Sequence, residues 1–162
     1  MKFENGSYVH STLDEGYDFF ITDKWKKKFH FRIATFPVPS GFLSEAIEVI
    51  TDKKEREPYM FMVLSGFESD EEHSELLLKA KIKRGINRRY LMEKNGNLQI
   101  RDSRELRGRI DWTGNHLNSA FENIFVIDGK RITIEQFVEM LQGSEGWNFR
   151  FTIHDMTDDE MG

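Results

Sequence analysis

Three residues in the second half of the sequence have the types and spacing needed to bind an anion and transfer a proton. Arg107, Arg109 and Asp111 are each separated by one residue, and alternate residues of an extended strand point to one face. Two guanidinium groups there could clamp a phosphate or carboxylate, while the carboxyl group of Asp111 acts as acid or base. The plainer interpretation is that Asp111 faces solvent or pairs with a nearby arginine.

These residues lie at the end of a strongly basic segment, residues 79–109. The segment holds 11 Lys/Arg and 3 Asp/Glu, a net charge of +8; because the whole chain carries −5, the other residues carry −13. A converging set of these cations would suit a phosphate, a nucleic acid or an acidic protein, with a neighbouring aromatic ring for stacking. The predicted binding residues are Lys81, Arg84, Arg88, Arg107, Arg109, Asp111 and Trp112. The alternative is a solvated face that pairs with the protein's own acids.

Other motifs for chemistry are missing from the sequence. Its five histidines include no HxxxH or HExxH pair, and there is no GxGxxG, GxSxG or Walker-type loop. Cysteine is absent, which excludes disulfides, thiolate zinc sites and cysteine nucleophiles. Residues 143–146 resemble a phosphate loop in composition, but they follow a predicted helix whereas a phosphate loop precedes one. We therefore assign no catalytic residue, no metal ligand and no cofactor.

Alternating apolar residues predict the strands that must position these side chains. Tyr17, Phe19 and Ile21 form one such row, and a second row follows the charged turn at residues 25–28. The run 59–64 is apolar on both faces, which predicts a central strand covered on both sides. Short strands are predicted at 98–100, 109–112 and 124–127, with Asp128-Gly129 as a hairpin turn. The alternation of residues 147–153 predicts a final strand.

Helical spacing predicts three helices. Leu43, Ala46, Ile47 and Ile50 indicate a short one after Ser40. A long helix is expected over about 70–94, capped by Ser69 with Glu72 and stopped by Asn95-Gly96. Its face Leu78, Ile82, Ile86 and Tyr90 should be buried, and Gly85 within it implies close packing against a neighbour. A third helix should follow the capping box formed by Thr133 and Gln136.

The expected class is therefore α+β, with a mostly antiparallel sheet and about three helices packed on it. Strands and helices do not alternate as a doubly wound parallel sheet requires. The length of 162 residues predicts a single domain over 1–162, with frayed ends at 1–15 and 156–162. No apolar run is long enough to span a membrane and no secretory signal is visible, so we expect a cytoplasmic protein.

Short sequences along most of the chain resemble a family of bacterial hypothetical proteins that carries a domain of unknown function. They lie in the family's order over residues 25–156. They are Phe36-Pro37-Val38-Pro39-Ser40-Gly41 with Glu45-Ala46, residues 59–67, Lys81-Ile82-Lys83-Arg84-Gly85, Arg89-Tyr90-Leu91, Arg107-Gly108-Arg109-Ile110-Asp111-Trp112, Val126-Ile127-Asp128-Gly129-Lys130, Phe137 with Met140-Leu141, and Glu145-Gly146-Trp147-Asn148-Phe149. The resemblance implies no activity, so it assigns no catalytic residue.

Three functions stay open at this point. The first is a non-catalytic binding or interaction module, favoured because no catalytic constellation is visible, with a protein or an anionic ligand as partner. The second is a nucleic-acid-binding accessory protein that uses residues 79–109, which the acidity of the remaining chain disfavours. The third is an enzyme that acts on a small anionic substrate through Arg107, Arg109 and Asp111.

Overall fold

The computed structural model describes residues 15–51, 56–112 and 123–158. These residues divide into two compact units. Unit 1 contains 15–51, 58–87 and 153–158, and unit 2 contains 56–57, 88–112 and 123–152. The sequence predicted a single domain over 1–162. Whether the two units form one domain stays a prediction. The segments 1–14 and 159–162, most of the two predicted frayed ends, lie outside the described residues.

Unit 1 is a four-stranded antiparallel sheet with one helix on it. The strands are β1 (Tyr17–Thr22), β2 (Lys28–Val38), β3 (Gly41–Glu48) and β4 (Met60–Ser65), in the order β1-β2-β3-β4. The helix α1 (Glu71–Ile86) follows β4. Phe29, Phe31 and Ile33 alternate on β2 and pack against α1 through its buried face Leu78, Ile82 and Ile86. Burial of this apolar face drives the helix onto the sheet.

Unit 2 is built from two small antiparallel sheets and one short helix. β5 (Leu91–Lys94) pairs with β6 (Asn97–Ile100), while β7 (Arg109–Trp112), β8 (Asn123–Ile127) and β9 (Lys130–Ile132) form a three-stranded sheet. The helix α2 (Ile134–Met140) follows β9 directly. The core contains Leu91, Ile127 and Ile132, with Phe125 and Phe137 packed against it.

The predicted class is confirmed: the protein is α+β, with antiparallel sheets. Two helices occur among the described residues rather than about three. The predicted helix around residues 43–50 is instead strand β3, which pairs with β2 on one side and β4 on the other. Its sequence fits either period over this short length, and the two neighbouring strands decide the outcome.

The long helix ends eight residues earlier than predicted, because Asn87 caps it. The Nδ2 atom of Asn87 donates to the carbonyl oxygen of Lys83 at 2.7 Å, where the next helical turn would bond. Asn95 and Gly96, with φ of 53° and 79°, form the turn of the β5–β6 hairpin instead of a helix stop. At the other end the cap is Asp70 rather than Ser69, and its side chain accepts from the backbone N–H of His73.

Two strand predictions are also wrong. The run 59–64 forms β4, which lies at the edge of the four-stranded sheet and is only half-buried, rather than at its centre. Residues 147–153 are not a strand, since they have no pairing partner among the described residues. The strands β1, β2, β6, β7 and β8, the Asp128-Gly129 turn and the Thr133–Gln136 capping box are confirmed. The loop predicted between β7 and β8 falls mostly on residues 113–122, outside the described residues.

Candidate functional site

The structure distributes the seven predicted binding residues over both units. Lys81 and Arg84 belong to α1 in unit 1, and the other five belong to unit 2. Arg88 is not in the helix, although the predicted range of about 70–94 includes it, because α1 ends at Ile86 and Asn87 caps it. In unit 2, four of the predicted residues lie in or next to strand β7: Arg107, Arg109, Asp111 and Trp112.

Lys81 has a structural role within unit 1. Its ammonium group donates to the carbonyl oxygens of Met62 at 2.8 Å, Met156 at 2.8 Å and Asp158 at 3.0 Å. Three backbone acceptors satisfy the three donors that an ammonium group offers. The cation therefore fixes the segment 153–158 against α1 and β4.

Arg107 and Arg109 are each paired with a carboxylate two residues away. Arg107 Nε donates to Glu105 Oε1 at 2.6 Å, and Arg109 Nη2 donates to Asp111 Oδ2 at 3.2 Å. The other carboxylate oxygen, Asp111 Oδ1, accepts the backbone N–H of Trp112 at 2.8 Å. Pairing with a nearby arginine, the plainer interpretation of Asp111, is thus what the structure contains.

A pocket of about 280 Å³ lies beside Asp111 in unit 2. Its floor is Ile124, which pairs with Asp111 across the β7–β8 ladder. Residues directly opposite in an antiparallel ladder share a face of the sheet, so the register itself places Asp111 beside the apolar floor. The complete lining is Glu57, Asp111, Trp112, Ile124, Arg131 and Thr133.

Three short elements supply the rest of the lining, and each has a local reason for its position. Glu57 is held by its backbone N–H, which donates to the carbonyl oxygen of Gly129 at 2.8 Å in the β8–β9 turn. A side chain at Gly129 would strain the turn, where φ is +74°. Arg131 lies opposite Val126 on β9, and Thr133 caps α2 by accepting the N–H of Gln136 at 3.1 Å.

The charges around the pocket cancel in pairs. Glu57 and Arg131 form an ion pair through Oε1 and Nε, and Asp111 is paired with Arg109. Two carboxylates therefore face two guanidinium groups, and the polar rim is close to neutral. Trp112 also contributes to the lining, and this residue is 48% exposed.

Sequence reasoning identified Arg109, Asp111 and Trp112 in this region but missed Glu57 and Arg131 as their neighbours. The Asp128-Gly129 turn signal fixes the β8–β9 register, and that register could have placed Arg131 beside β8. No sequence signal places Glu57, which precedes α1 and is 74 residues from Arg131.

Two family models together cover nearly all of the chain. Residues 14–87 match a domain of unknown function (DUF7686), and residues 88–158 match a second domain of unknown function (DUF7713). The expected likeness to domains of unknown function is therefore confirmed, as two adjoining domains. No curated protein and no solved structure matches the chain. Among the described residues, no helix is long and apolar enough to cross a membrane.

Proposed function

We propose that this protein is a non-catalytic binding module, and that the pocket in unit 2 accepts one uncharged aromatic or aliphatic side chain of a partner protein. The observation that carries the proposal is the combination of the apolar residue Ile124, an exposed Trp112 in the lining and a rim whose charges are already paired. Aromatic residues of this kind are enriched at the contact points of protein interfaces.

The size of the pocket is sufficient for one large amino-acid side chain. Pockets for drug-sized ligands and cofactors enclose roughly 300–1,000 Å³, whereas this one encloses about 280 Å³. One large amino-acid side chain would fit against Trp112 and Ile124.

The charge arrangement favours an uncharged group. A charged ligand must lose its hydration on entry, and it gains little from carboxylates and guanidinium groups that already neutralise one another. An apolar group gains from the area that it removes from water, at roughly 25 cal/mol for each Å². The ion pairs at the rim then supply orientation through hydrogen bonds more than affinity.

The same contacts support binding rather than catalysis. Both oxygens of Asp111 accept hydrogen bonds, Glu57 is paired with Arg131, and the Thr133 hydroxyl caps α2. Each group in the pocket that could act on a substrate already has a structural partner. Arg107 is likewise paired with Glu105, so the anion clamp of the enzyme alternative would have to break an ion pair.

The test uses the three tryptophan side chains as internal reporters. In ¹H–¹⁵N spectra of the full chain, the three indole N–H signals are assigned with Trp25→Phe, Trp112→Phe and Trp147→Phe. N-acetyl-phenylalaninamide is then titrated, with N-acetyl-leucinamide, acetate and inorganic phosphate as further probes. We expect saturable shifts at Trp112 with the two apolar amides, and none with the anions.

Trp25 is the matched control, because it is 50% exposed and lies in the β1–β2 turn of unit 1. Equal shifts at Trp25 and Trp112 would indicate nonspecific contact, and saturable phosphate binding at Trp112 would favour the enzyme alternative. Either result contradicts the proposal. Ile124→Ala, which removes part of the floor, should weaken amide binding about fivefold or more if the probe occupies the pocket.

We also propose that the module acts in the cytoplasm of a bacterium. The sequence resemblance to bacterial hypothetical proteins supports the origin, and the absence of cysteine from 162 residues suits a reducing compartment. Immunodetection of the chromosomally tagged protein in fractionated bacterial cells would test the location. Recovery in the periplasmic or medium fraction would contradict it.

A further inference from the structure

A row of aromatic side chains near the C-terminal end of unit 2 stands in solvent. Trp147, Phe149 and Phe151 are 59%, 92% and 60% exposed. We call residues 147–151 the aromatic segment. Its aromatic residues alternate with Asn148 and Arg150, so in extended backbone the three rings share one face and the two polar side chains share the other.

The backbone of this segment has few hydrogen bonds within the part of the chain that the structure describes. Among the described residues, 148–151 make no backbone hydrogen bond, and the N–H of Trp147 bonds only to the carbonyl oxygen of Ser144, in the turn before it. Aromatic residues in period-2 alternation have high strand propensity. An unpaired segment of this kind is a template for pairing with a further strand.

We propose that the aromatic segment pairs with the same segment of a second copy of this chain, forming an antiparallel two-stranded ribbon with its two-fold axis at Phe149. In that register Phe149 lies opposite Phe149 of the second copy, and Trp147 lies opposite Phe151. Cross-strand aromatic pairs are among the favourable pairs of antiparallel sheets.

The side-chain pattern favours this register over its neighbours, since an axis at Asn148 would place Phe151 opposite Glu145 instead of an aromatic ring. With the axis at Phe149, the guanidinium group of Arg150 lies opposite the amide of Asn148, a neutral hydrogen-bonding partner. Moving the axis to Arg150 would place two guanidinium groups directly opposite each other, which is destabilising. An axis between residues would set aromatic side chains opposite polar ones and divide the apolar face.

The area available predicts a weak, reversible dimer. A buried aromatic side chain covers roughly 150–250 Å², so the exposed fractions of the three rings amount to roughly 400 Å² for each copy. Two copies supply roughly 800–900 Å², and the paired backbone adds to this. Specific interfaces clear about 1,000 Å², which places this one in the weak class. Arg104 holds one end of the segment, with its guanidinium carbon 4.0 Å from the centre of the Trp147 ring.

Sedimentation velocity of the full chain tests the association, over protein concentrations from about 5 to about 500 µM. We expect a monomer–dimer equilibrium that Phe149→Ser weakens at least about tenfold. Phe67→Ser is the matched control, because Phe67 is also an exposed phenylalanine, at 71%, but lies in unit 1. It should leave the equilibrium unchanged. A monomer at all concentrations, or a dimer that Phe149→Ser does not weaken, overturns the proposal.

Cysteine pairs test the register, since the natural chain has no cysteine. Asn148→Cys and Arg150→Cys retain all three rings and place thiols opposite each other only when the two variants are mixed. Under mild oxidation the mixture should form the heterodisulfide several times faster than either variant alone forms its homodisulfide. Equal rates in all three samples would reject the antiparallel pairing about Phe149.

Discussion

The hydroxyl groups of Ser44 and Ser74 lie 2.7 Å apart, in a hydrogen bond that joins strand β3 to helix α1. Both side chains are fully buried in unit 1. The hydroxyl of Thr35 continues the chain on β2, 2.6 Å from that of Ser44. Three hydroxyl groups therefore satisfy one another between the sheet and the helix, where an unpaired polar atom would be costly.

Ser74→Ala should lower the free energy of unfolding of unit 1 by about 1 kcal/mol, the usual net value of one hydrogen bond. The loss stays moderate because Ser44 keeps its bond to Thr35. Urea denaturation followed by far-ultraviolet circular dichroism would measure it. Ser103→Ala, at an exposed turn position, serves as control. An unchanged stability for Ser74→Ala would show that the Ser44–Ser74 bond contributes nothing.

Gly85→Ala should destabilise the protein although alanine is the better helix former. A Cβ atom at Gly85 would lie 2.4 Å from Cε1 of Phe61, so the ring must move. The gain in helix propensity is about 1 kcal/mol, while overpacking costs about 1–3 kcal/mol. We expect a net loss of about 1 kcal/mol in chemical denaturation.

A second substitution separates the clash from other effects of Gly85→Ala. Phe61→Leu makes room for the added methyl group, so the double variant should be more stable than the sum of the two single effects predicts. Strict additivity of the two substitutions would contradict the steric explanation.

Lys81→Met should release the segment 153–158 from unit 1. The substitution keeps most of the aliphatic stem but removes the three hydrogen bonds to the carbonyl oxygens of Met62, Met156 and Asp158. Hydrogen exchange measured by mass spectrometry should show faster exchange in peptides that contain 153–158. Lys83→Met, at an exposed position of the same helix, should leave that exchange unchanged. Equal protection in both variants would remove the structural role assigned to Lys81.

Asp18 should make stability depend on pH in the acid range. A hydrogen bond from His30, followed by one from Arg32, lowers the pKa of Asp18 below its ordinary value of 3.8. A carboxyl group with a lowered folded-state pKa stabilises the fold above its ordinary pKa, and this contribution disappears as pH falls through the lowered value. Asp18→Asn should therefore destabilise the protein at pH 6 more than it does near pH 2.

Carboxyl ¹³C chemical shifts can follow the titration of Asp18 directly. His30→Ala removes the largest contributor, so the pKa of Asp18 should rise toward its ordinary value in that variant. A titration curve for Asp18 that His30→Ala does not move would show that the Asp18–His30 contact has no effect on the carboxyl group.

Local sequence patterns correctly predicted those elements whose tertiary contacts favour the same secondary structure. Alternation identified β1 and β2, and the capping box of Thr133 and Gln136 identified the start of α2. The close packing implied by Gly85 is present as the ring of Phe61. The strands and the capping box depend on a few adjacent residues, so the local sequence contains their cause, whereas Gly85 indicated close packing without identifying Phe61 as the neighbour.

The errors arose where distant residues decide the structure. Asn95-Gly96 suits both a helix stop and a hairpin turn. The side chain of Asp128 favours the hairpin, because its Oδ2 atom accepts the backbone N–H of Tyr90 and Leu91, at 2.9 and 2.8 Å, and starts β5 there. The hydrogen bond between Asp128 and Leu91 joins residues that are 37 positions apart, so no pattern in the sequence around residue 91 indicates it. The pocket shows the same limit, since Asp111 could be singled out from its neighbours but Glu57 could not.

The assignment of residues 56–57 to unit 2 and of 153–158 to unit 1 means that the two matched regions do not correspond to two self-contained pieces of chain. A polypeptide cut between residues 87 and 88 would give one fragment that lacks two of the three carbonyl acceptors of Lys81, those of Met156 and Asp158, and another that lacks Glu57, the carboxylate partner of Arg131. Expression of unit 1 alone should therefore require residues 153–158 as an added peptide. Expression of unit 2 alone should begin early enough to include residues 56–57.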